Sequence, residues 1–281
     1  MNRRRSWLYV PATRPELVPK AVATGTDAIV VDLEDSVPPA ARPGARSTVA
    51  DLARTEFGAP LYVRINSVED DGLADLRALA GSRISGIRLP KCADPGAVAE
   101  VGQLLAELVP EAELHLIVES AAGMERLGEL LTAHPAVAGI GLGEADLAAD
   151  LRCDTELLDW CANRLLIAAR SAGKPVVQSV YSDLSDSDGL RTTTETGKAR
   201  GYLGRSCIHP MQVSIVNAVH TPSAAEVDSA REVIRAVTEA ERSGTATVVM
   251  PNGQFADRAM VRAARRVLAH EPAKASGDVD S

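Results

Sequence analysis

The chain reads as short aliphatic runs separated by longer stretches in which apolar residues recur every three or four positions. Such runs fall at Trp7–Val10, Ala28–Leu33, Leu61–Asn66, Gly86–Pro90, Leu114–Val118, Val137–Leu142, Pro175–Val180 and near Tyr202–Ile208. Their β-branched and aliphatic content predicts buried strands. Helical spacing predicts helices between them, among them Pro15–Thr24, Pro95–Leu108, Met124–Thr132 and Glu156–Ala172. Strand and helix in alternation predict βαβ units and a parallel sheet, and eight strands in this rhythm predict a closed (β/α)8 TIM barrel of the α/β class. A stretch rich in Asp and Ser, 182–189, predicts a turn or helix cap. After His209-Pro210 the rhythm changes. Helices are expected over Met211–Val219 and from Thr221-Pro222-Ser223 to Arg242, then an extended piece Thr247–Met250, a turn at Pro251-Asn252-Gly253 and a last helix Ala256–Ala269. The expected organisation is a barrel over 1–220, a C-terminal segment over 221–270 and a disordered tail over 271–281.

In a parallel barrel the functional residues sit at the carboxyl ends of the strands. Polar residues recur at those places. They are Asp32, Glu34 and Asp35 where the second run ends, Arg64 and Asn66 on the third, Lys91 after the fourth and Glu119 after the fifth. Glu144 and Asp146 follow the sixth, Asp183 the seventh and His209 the eighth. Five carboxylates at one mouth (Asp32, Glu34, Asp35, Glu119, Asp146) would repel one another unless a cation is present. Oxygen donors without a nearby Cys or His pair favour Mg²⁺ over zinc, and Mg²⁺ takes one or two protein carboxylates. Glu119 and Asp146 are the best pair, since each stands after an apolar run and the two strands are neighbours. The competing reading makes these acids helix caps or first-turn charges.

Arg64 alternates with Val63 and Ile65 and so points toward the barrel interior, where it meets either a substrate carboxylate or one of the acids in a salt bridge. Asn66 and Lys91 are placed for substrate binding, with a Schiff base as the rival role for Lys91. His209 reads as an orienting group, and Asp183, Asp186 and Asp188 as turn acids. Arg3-Arg4-Arg5 with Arg14 and Lys20 form a basic set that either holds the phosphates of a large anionic cofactor or is solvated charge.

Length and composition add bounds. At 281 residues and 46% hydrophobic content the chain suits one barrel with a small appendage. A formal net charge of −8 argues against broad nucleic-acid binding. Four cysteines (Cys92, Cys153, Cys161, Cys207) form no C-x-x-C pair and are read as reduced core thiols. The absence of a long apolar run or export signal leads to the expectation of a cytoplasmic protein without a membrane partner.

Seven motifs stand in register with citrate lyase β-subunit-like proteins, a group that includes malyl-CoA and citramalyl-CoA lyases of the aldolase/citrate lyase superfamily. They are Arg5-Ser6-Trp7-Leu8-Tyr9-Val10-Pro11, Asp32-Leu33-Glu34-Asp35-Ser36-Val37, Arg64-Ile65-Asn66, Leu89-Pro90-Lys91, Val118-Glu119-Ser120-Ala121, Gly143-Glu144-Ala145-Asp146-Leu147-Ala148 and Cys207-Ile208-His209-Pro210. The resemblance spans about residues 3–270. It implies Mg²⁺ at Glu119 and Asp146, a substrate carboxylate on Arg64, and Glu34 and Asp35 beside them. Gly253-Gln254-Phe255-Ala256-Asp257 resembles the family segment in which an aspartate on a C-terminal helical lid reaches the neighbouring subunit's site. Asp257, otherwise a helix cap, thereby becomes the candidate proton donor or acceptor in a homotrimer or higher oligomer. The chain departs from the family at Pro11-Ala12-Thr13, in place of Pro-Gly, and at Gly204-Arg205-Ser206, in place of Gly-Lys, both in loops expected near the thioester.

The expected activity is Mg²⁺-dependent carbon–carbon cleavage or formation, in which a β-hydroxyacyl-thioester of coenzyme A gives a keto-acid and a smaller thioester. Two alternatives are malate-synthase-like condensation with thioester hydrolysis and a non-catalytic subunit that binds an acyl carrier.

Overall fold

The computed structural model describes residues 4–153, 155–245, 247–250, 253 and 255–271. Eight parallel strands, β1 (Ser6–Pro11), β2 (Ala28–Asp32), β3 (Leu61–Arg64), β4 (Gly86–Leu89), β5 (Glu113–Val118), β6 (Val137–Leu142), β7 (Val176–Gln178) and β8 (Gly204–Cys207), close into a barrel in chain order. β1 pairs with both β2 and β8, which completes the ring. The predicted α/β TIM barrel is the observed fold. Helices α1 (Val18–Ala23), α2 (Arg42–Leu52), α3 (Gly72–Ala78) and α4 (Pro95–Leu108) cover the first four strands. α5 (Ala121–Glu125), α6 (Leu127–Thr132), α7 (Glu144–Leu151), α8 (Thr155–Ser171), α9 (Ser187–Arg200) and α10 (Pro210–His220) follow.

The helix expected over Met124–Thr132 is two short helices. Ser120 accepts from the Gly123 N–H and so starts α5 directly after Glu119, and at Arg126 (φ −112°, ψ 18°) the backbone leaves the helical region before α6 begins. Asp186, at the Asp- and Ser-rich stretch, caps α9 by accepting from the Gly189 N–H.

Because side chains alternate along a strand, the barrel has two cores. Outward residues such as Leu8, Val10, Ile29, Val31 and Leu116 pack under the helices in the main core. Inward residues Trp7, Ala28, Val30, Tyr62 and Val177 form a separate cluster inside the ring. Below them, at the amino ends of the strands, Glu113 accepts from Arg4 (2.6 Å), the Tyr62 hydroxyl (2.7 Å) and pairs with His115 Nε2 (2.9 Å). Burial works to raise the Glu113 carboxyl, but its bonds to His115, Arg4 and Tyr62 outweigh this and hold it at about 2. Arg5 pairs with Asp27 at the same end. Arg4 and Arg5 are therefore used to close the bottom of the barrel, and the phosphate-binding role considered for them is corrected; Arg3 lies outside the described residues.

The chain divides into two compact units between Ala218 and Val219. The second contains α11 (Ala224–Arg242), a short antiparallel pair β9 (Val248–Val249) and β10 (Phe255–Ala256), and α12 (Arg258–Leu268). A capping box of Ser223 and Glu226 starts α11, and Val237, Met250, Ala256 and Val261 form a small core of their own. Pro251 and Asn252 of the expected turn, and the tail from 272 onward, lie outside the described residues. Among the described residues no helix is long and apolar enough to cross a membrane.

Candidate functional site

The inward positions near the carboxyl ends of β3, β4 and β5 carry Arg64, Arg88 and Glu119. With Asp146, from the first turn of α7, they line a cavity of about 450 Å³. Asp35, Tyr9, Ser179 and Ser206 line it too. Of the sequence-predicted site residues, the structure thus brings together Arg64, Asp35, Glu119, Glu144 and Asp146.

Glu119 is 7% exposed. Its Oε2 accepts from the backbone N–H of Lys91 at 3.1 Å. Lys91 holds a left-handed backbone (φ 54°), a conformation that costs energy for a residue with a Cβ and here aims its N–H at the carboxylate. Burial, followed by the charge of Asp146, pushes the Glu119 carboxyl up to about 7. Glu34, 6% exposed, is pushed up to about 8 by burial, against the pull of Arg64 and with the added repulsion of Asp35 and Glu119. Arg64 Nη1 lies 3.0 Å from Glu34 Oε2, yet neither oxygen of Glu34 accepts a well-formed hydrogen bond. The Lys91 ammonium stands 3.6 Å from Glu34 Oε1 at the exposed rim, outside the lining of the cavity.

Arg64 is gripped from below by Asp32 in a two-pronged contact, Nε to Oδ1 at 2.6 Å and Nη2 to Oδ2 at 2.8 Å, and its Nη1 donates to Asp35 at 2.9 Å. Burial works to raise the Asp32 carboxyl, but Arg64 and the bonds to Ser36 and the Glu34 N–H hold it below the ordinary carboxylate value. The salt-bridge partner considered from sequence is therefore Asp32, while Arg64 still faces the cavity.

Several expected residues lie elsewhere. β3 ends at Arg64, and Asn66 is fully buried beyond it, with its amide donating to Asp75 (2.7 Å) and to the Leu33 carbonyl (3.1 Å). The expectation that Asn66 contacts substrate is corrected on this ground: its donor is used to tie two loops together. Arg14 pairs with Glu16 at 2.5 Å, and Lys20 lies on α1; neither lines the cavity. His209 Nδ1 accepts from the Met211 N–H at 3.3 Å as part of a turn. Asp257 caps α12 in the second unit by accepting from Ala259 N (2.7 Å) and Met260 N (3.1 Å). Gly204-Arg205-Ser206 is strand β8 and not a loop, with Ser206 facing inward and Arg205 donating outward to Thr193 and Thr194.

Sequence reasoning missed two features. One is Arg88, which alternates with Ile87 and Leu89 as Arg64 does with its neighbours. The other is a period-two row of glycines on β6 and just past it. A Cβ at Gly143 would meet Glu119 Oε1 at 2.3 Å, one at Gly141 would meet Arg88 Nη2 at 3.4 Å, and one at Gly139 would meet His115 at 2.5 Å. The inward face of β6 is bare so that side chains from β4 and β5 fit.

The donor set has the chemistry of a hard divalent metal site. No group of three or more His, Cys, Asp or Glu suited to holding a metal occurs among the described residues, so the protein would supply the two carboxylates of Glu119 and Asp146. Mg²⁺ is the ion that accepts so few protein ligands and fills the rest with water and substrate oxygen. The raised Glu119 carboxyl is what a buried acid beside another acid shows when no cation is present. The residues fit the ion.

Comparison with known proteins identifies the family. Residues 5–210 match the HpcH/HpaI aldolase/citrate lyase family, and residues 157–265 match a family described as C-C bond lyase of the TIM-barrel fold. The chain is 35% identical over 279 residues to a (3S)-malyl-CoA thioesterase of Cereibacter sphaeroides, covering 97% of this chain and 96% of that protein. It is 33% identical over 279 residues to the citrate lyase subunit beta of Leuconostoc mesenteroides subsp. cremoris, covering 94% and 92%. The solved structure of CitE from Mycobacterium tuberculosis in complex with magnesium, acetoacetate and coenzyme A matches with a TM-score of 0.80 at 29% identity, covering 95% of this chain and 98% of that one. The chain belongs to the HpcH/HpaI aldolase/citrate lyase family.

Proposed function

We propose that the protein is a Mg²⁺-dependent carbon–carbon lyase that cleaves, or in reverse forms, a β-hydroxyacyl-CoA thioester to give a keto-acid and a smaller acyl-thioester. The observation that carries this reading is the buried Glu119 facing the same cavity as Asp146 and Arg64. Glu119 and Asp146 hold the ion, and the Lys91 N–H fixes the rotamer of Glu119. When bound there, Mg²⁺ supplies Lewis acidity to the oxygen on the bond-breaking carbon. Arg64, held in place by Asp32, orients the keto-acid carboxylate, and Glu34 and Asp35 set the charge around it. Asp257 exchanges a proton with the carbon next to the thioester from the lid of a neighbouring subunit in a homotrimer or higher oligomer. Arg14 and Lys20 are assigned to the phosphates of coenzyme A. The discriminating assay is cleavage of malyl-, citramalyl-, citryl- and 3-hydroxy-3-methylglutaryl-CoA with and without Mg²⁺. Absence of metal-dependent keto-acid release from all four would overturn the proposal.

A second reading is hydrolysis of the thioester, favoured by the 35% identity to a protein named (3S)-malyl-CoA thioesterase. Release of free CoA with malate from malyl-CoA would support it, whereas acetyl-CoA with glyoxylate supports the lyase. The non-catalytic carrier-binding reading is disfavoured by the filled set of polar positions in the cavity.

Two outcomes follow from the site geometry. Mg²⁺ binding must remove the proton from Glu119, whose carboxyl sits at about 7 without metal. Affinity should therefore rise with pH, close to tenfold per pH unit below about 7 and flattening above it, in calorimetric titrations from pH 5.5 to 8.5. An affinity that does not change over that range would contradict the assignment of Glu119. Gly143→Ala places a methyl group where the Glu119 carboxylate lies, while φ −92° at that position is open to alanine. Metal-dependent turnover should fall about tenfold to 10²-fold through displacement of the ligand, with Mg²⁺ affinity weakened in parallel.

A further inference from the structure

Two guanidinium groups enter the cavity, and their surroundings differ. Arg64 and Arg88 are register partners across β3 and β4, so the two like charges sit side by side on the inward face. Arg64 is ringed by Asp32, Glu34 and Asp35. Arg88 has no carboxylate in salt-bridge range among the described residues, although it is only 4% exposed. Its Nη1 donates to the Ser206 hydroxyl at 3.0 Å, and its Nε has no partner at all. Nη2 lies beside Gly141, where no Cβ intrudes. The rings of Trp7 and Tyr9 flank the group, each 5.5 Å from the guanidinium carbon.

An arginine cannot shed its charge under ordinary conditions, and a buried charge needs a counter-ion and hydrogen-bond acceptors. Aromatic faces offer part of that compensation but accept no N–H in the guanidinium plane. Donors left over on a planar fork that lines a cavity match a carboxylate. Ser206 adds a hydroxyl beside it, and the cavity of about 450 Å³ leaves room for a small acid.

The geometry points to Arg88, with Ser206, as the seat of a second carboxylate on the substrate, which makes the site selective for thioesters whose keto-acid fragment carries a carboxylate at each end. This rests on the lyase reading above, in which the first carboxylate belongs to Arg64 and the metal. Arg88 thus reads as a specificity residue placed one strand away from the orienting arginine.

The test compares a dicarboxylate, oxaloacetate, with a monocarboxylate, pyruvate, on the full-length protein with Mg²⁺. Binding is followed by calorimetry and condensation with acetyl-CoA by kinetics. Wild type should bind oxaloacetate about tenfold or more tightly than pyruvate. Arg88→Met should remove that preference by weakening oxaloacetate about 10²-fold while changing pyruvate less than about threefold; Arg88→Lys should fall between them. Ser206→Ala, which leaves the arginine in place, should reduce the preference about threefold without a change in thermal midpoint. Equal weakening of both acids in the folded Arg88 variants, or a wild type that prefers pyruvate, overturns the inference. Wild type that binds neither keto-acid in the presence of Mg²⁺, and cleaves none of the four thioesters, overturns the lyase reading instead.

Discussion

Glu119→Gln is expected to lower Mg²⁺-dependent turnover by about 10³-fold while making the metal-free protein more stable at pH 8. The two effects have one cause. Glu119 is buried beside Asp146, and its carboxyl is pushed from the ordinary range to about 7. An acid whose folded value lies above its unfolded value binds more protons when folded, so stability is greatest at low pH and declines as pH rises toward the folded value. Above about pH 7 the full cost is present, on the order of 3 kcal/mol for a shift of this size, and a neutral glutamine avoids it. Glutamine also keeps an oxygen for the Lys91 N–H, so the backbone arrangement survives. Activity assays with Mg²⁺ and thermal denaturation without it should therefore move in opposite directions. Asp146→Asn should lose activity to a similar extent. Near-wild-type metal-dependent turnover in both variants would remove the metal site from consideration.

Asp257→Asn is expected to cost about 10³-fold in turnover with little effect on folding. Asp257 caps α12 through two backbone N–H groups, and asparagine caps a helix about as well, so the substitution removes only the exchangeable proton and the charge. If the residue acts from a neighbouring subunit, oligomers assembled from a mixture of Asp257→Asn and Glu119→Gln chains should regain activity that neither variant has alone. Wild-type turnover in Asp257→Asn, with an unchanged thermal midpoint, would leave the residue as a cap and nothing more.

The barrel was legible because strands buried on both faces read as short unbroken aliphatic runs, and each of the eight ran within two or three residues of its observed bounds. The C-terminal helices were legible through their caps, Ser223 and Asp257 among them. Short helices were less so, since the break at Arg126 is a backbone event with no strong breaker residue. In the site, the acids were found by their position after a strand, and Arg64 by its alternation with Val63 and Ile65. Arg88 carries the same alternation but sits one residue before the end of β4, within an aliphatic run and short of the strand ends where functional residues are expected. Asn66 shows the opposite error. It closed the third aliphatic run, two positions after Arg64, and looked available, but nothing in one sequence reveals that Asp75, nine positions on, takes its amide. Periodicity identifies the face a side chain takes; its partner is a property of the folded chain.

The bare face of β6 has a consequence for how such a site can change. Because Gly139, Gly141 and Gly143 give up their own side chains to make way for His115, Arg88 and Glu119, one stave of the cylinder works as a mould for its neighbours. A single methyl group added at a chosen height would press on His115 at the floor, Arg88 in the middle or Glu119 at the rim, and so reshape one level of the chamber at a time. Position 141 is the gentlest of the three, with the nearest atoms at 3.0 and 3.4 Å, and so is the first place to narrow the chamber around a smaller acid.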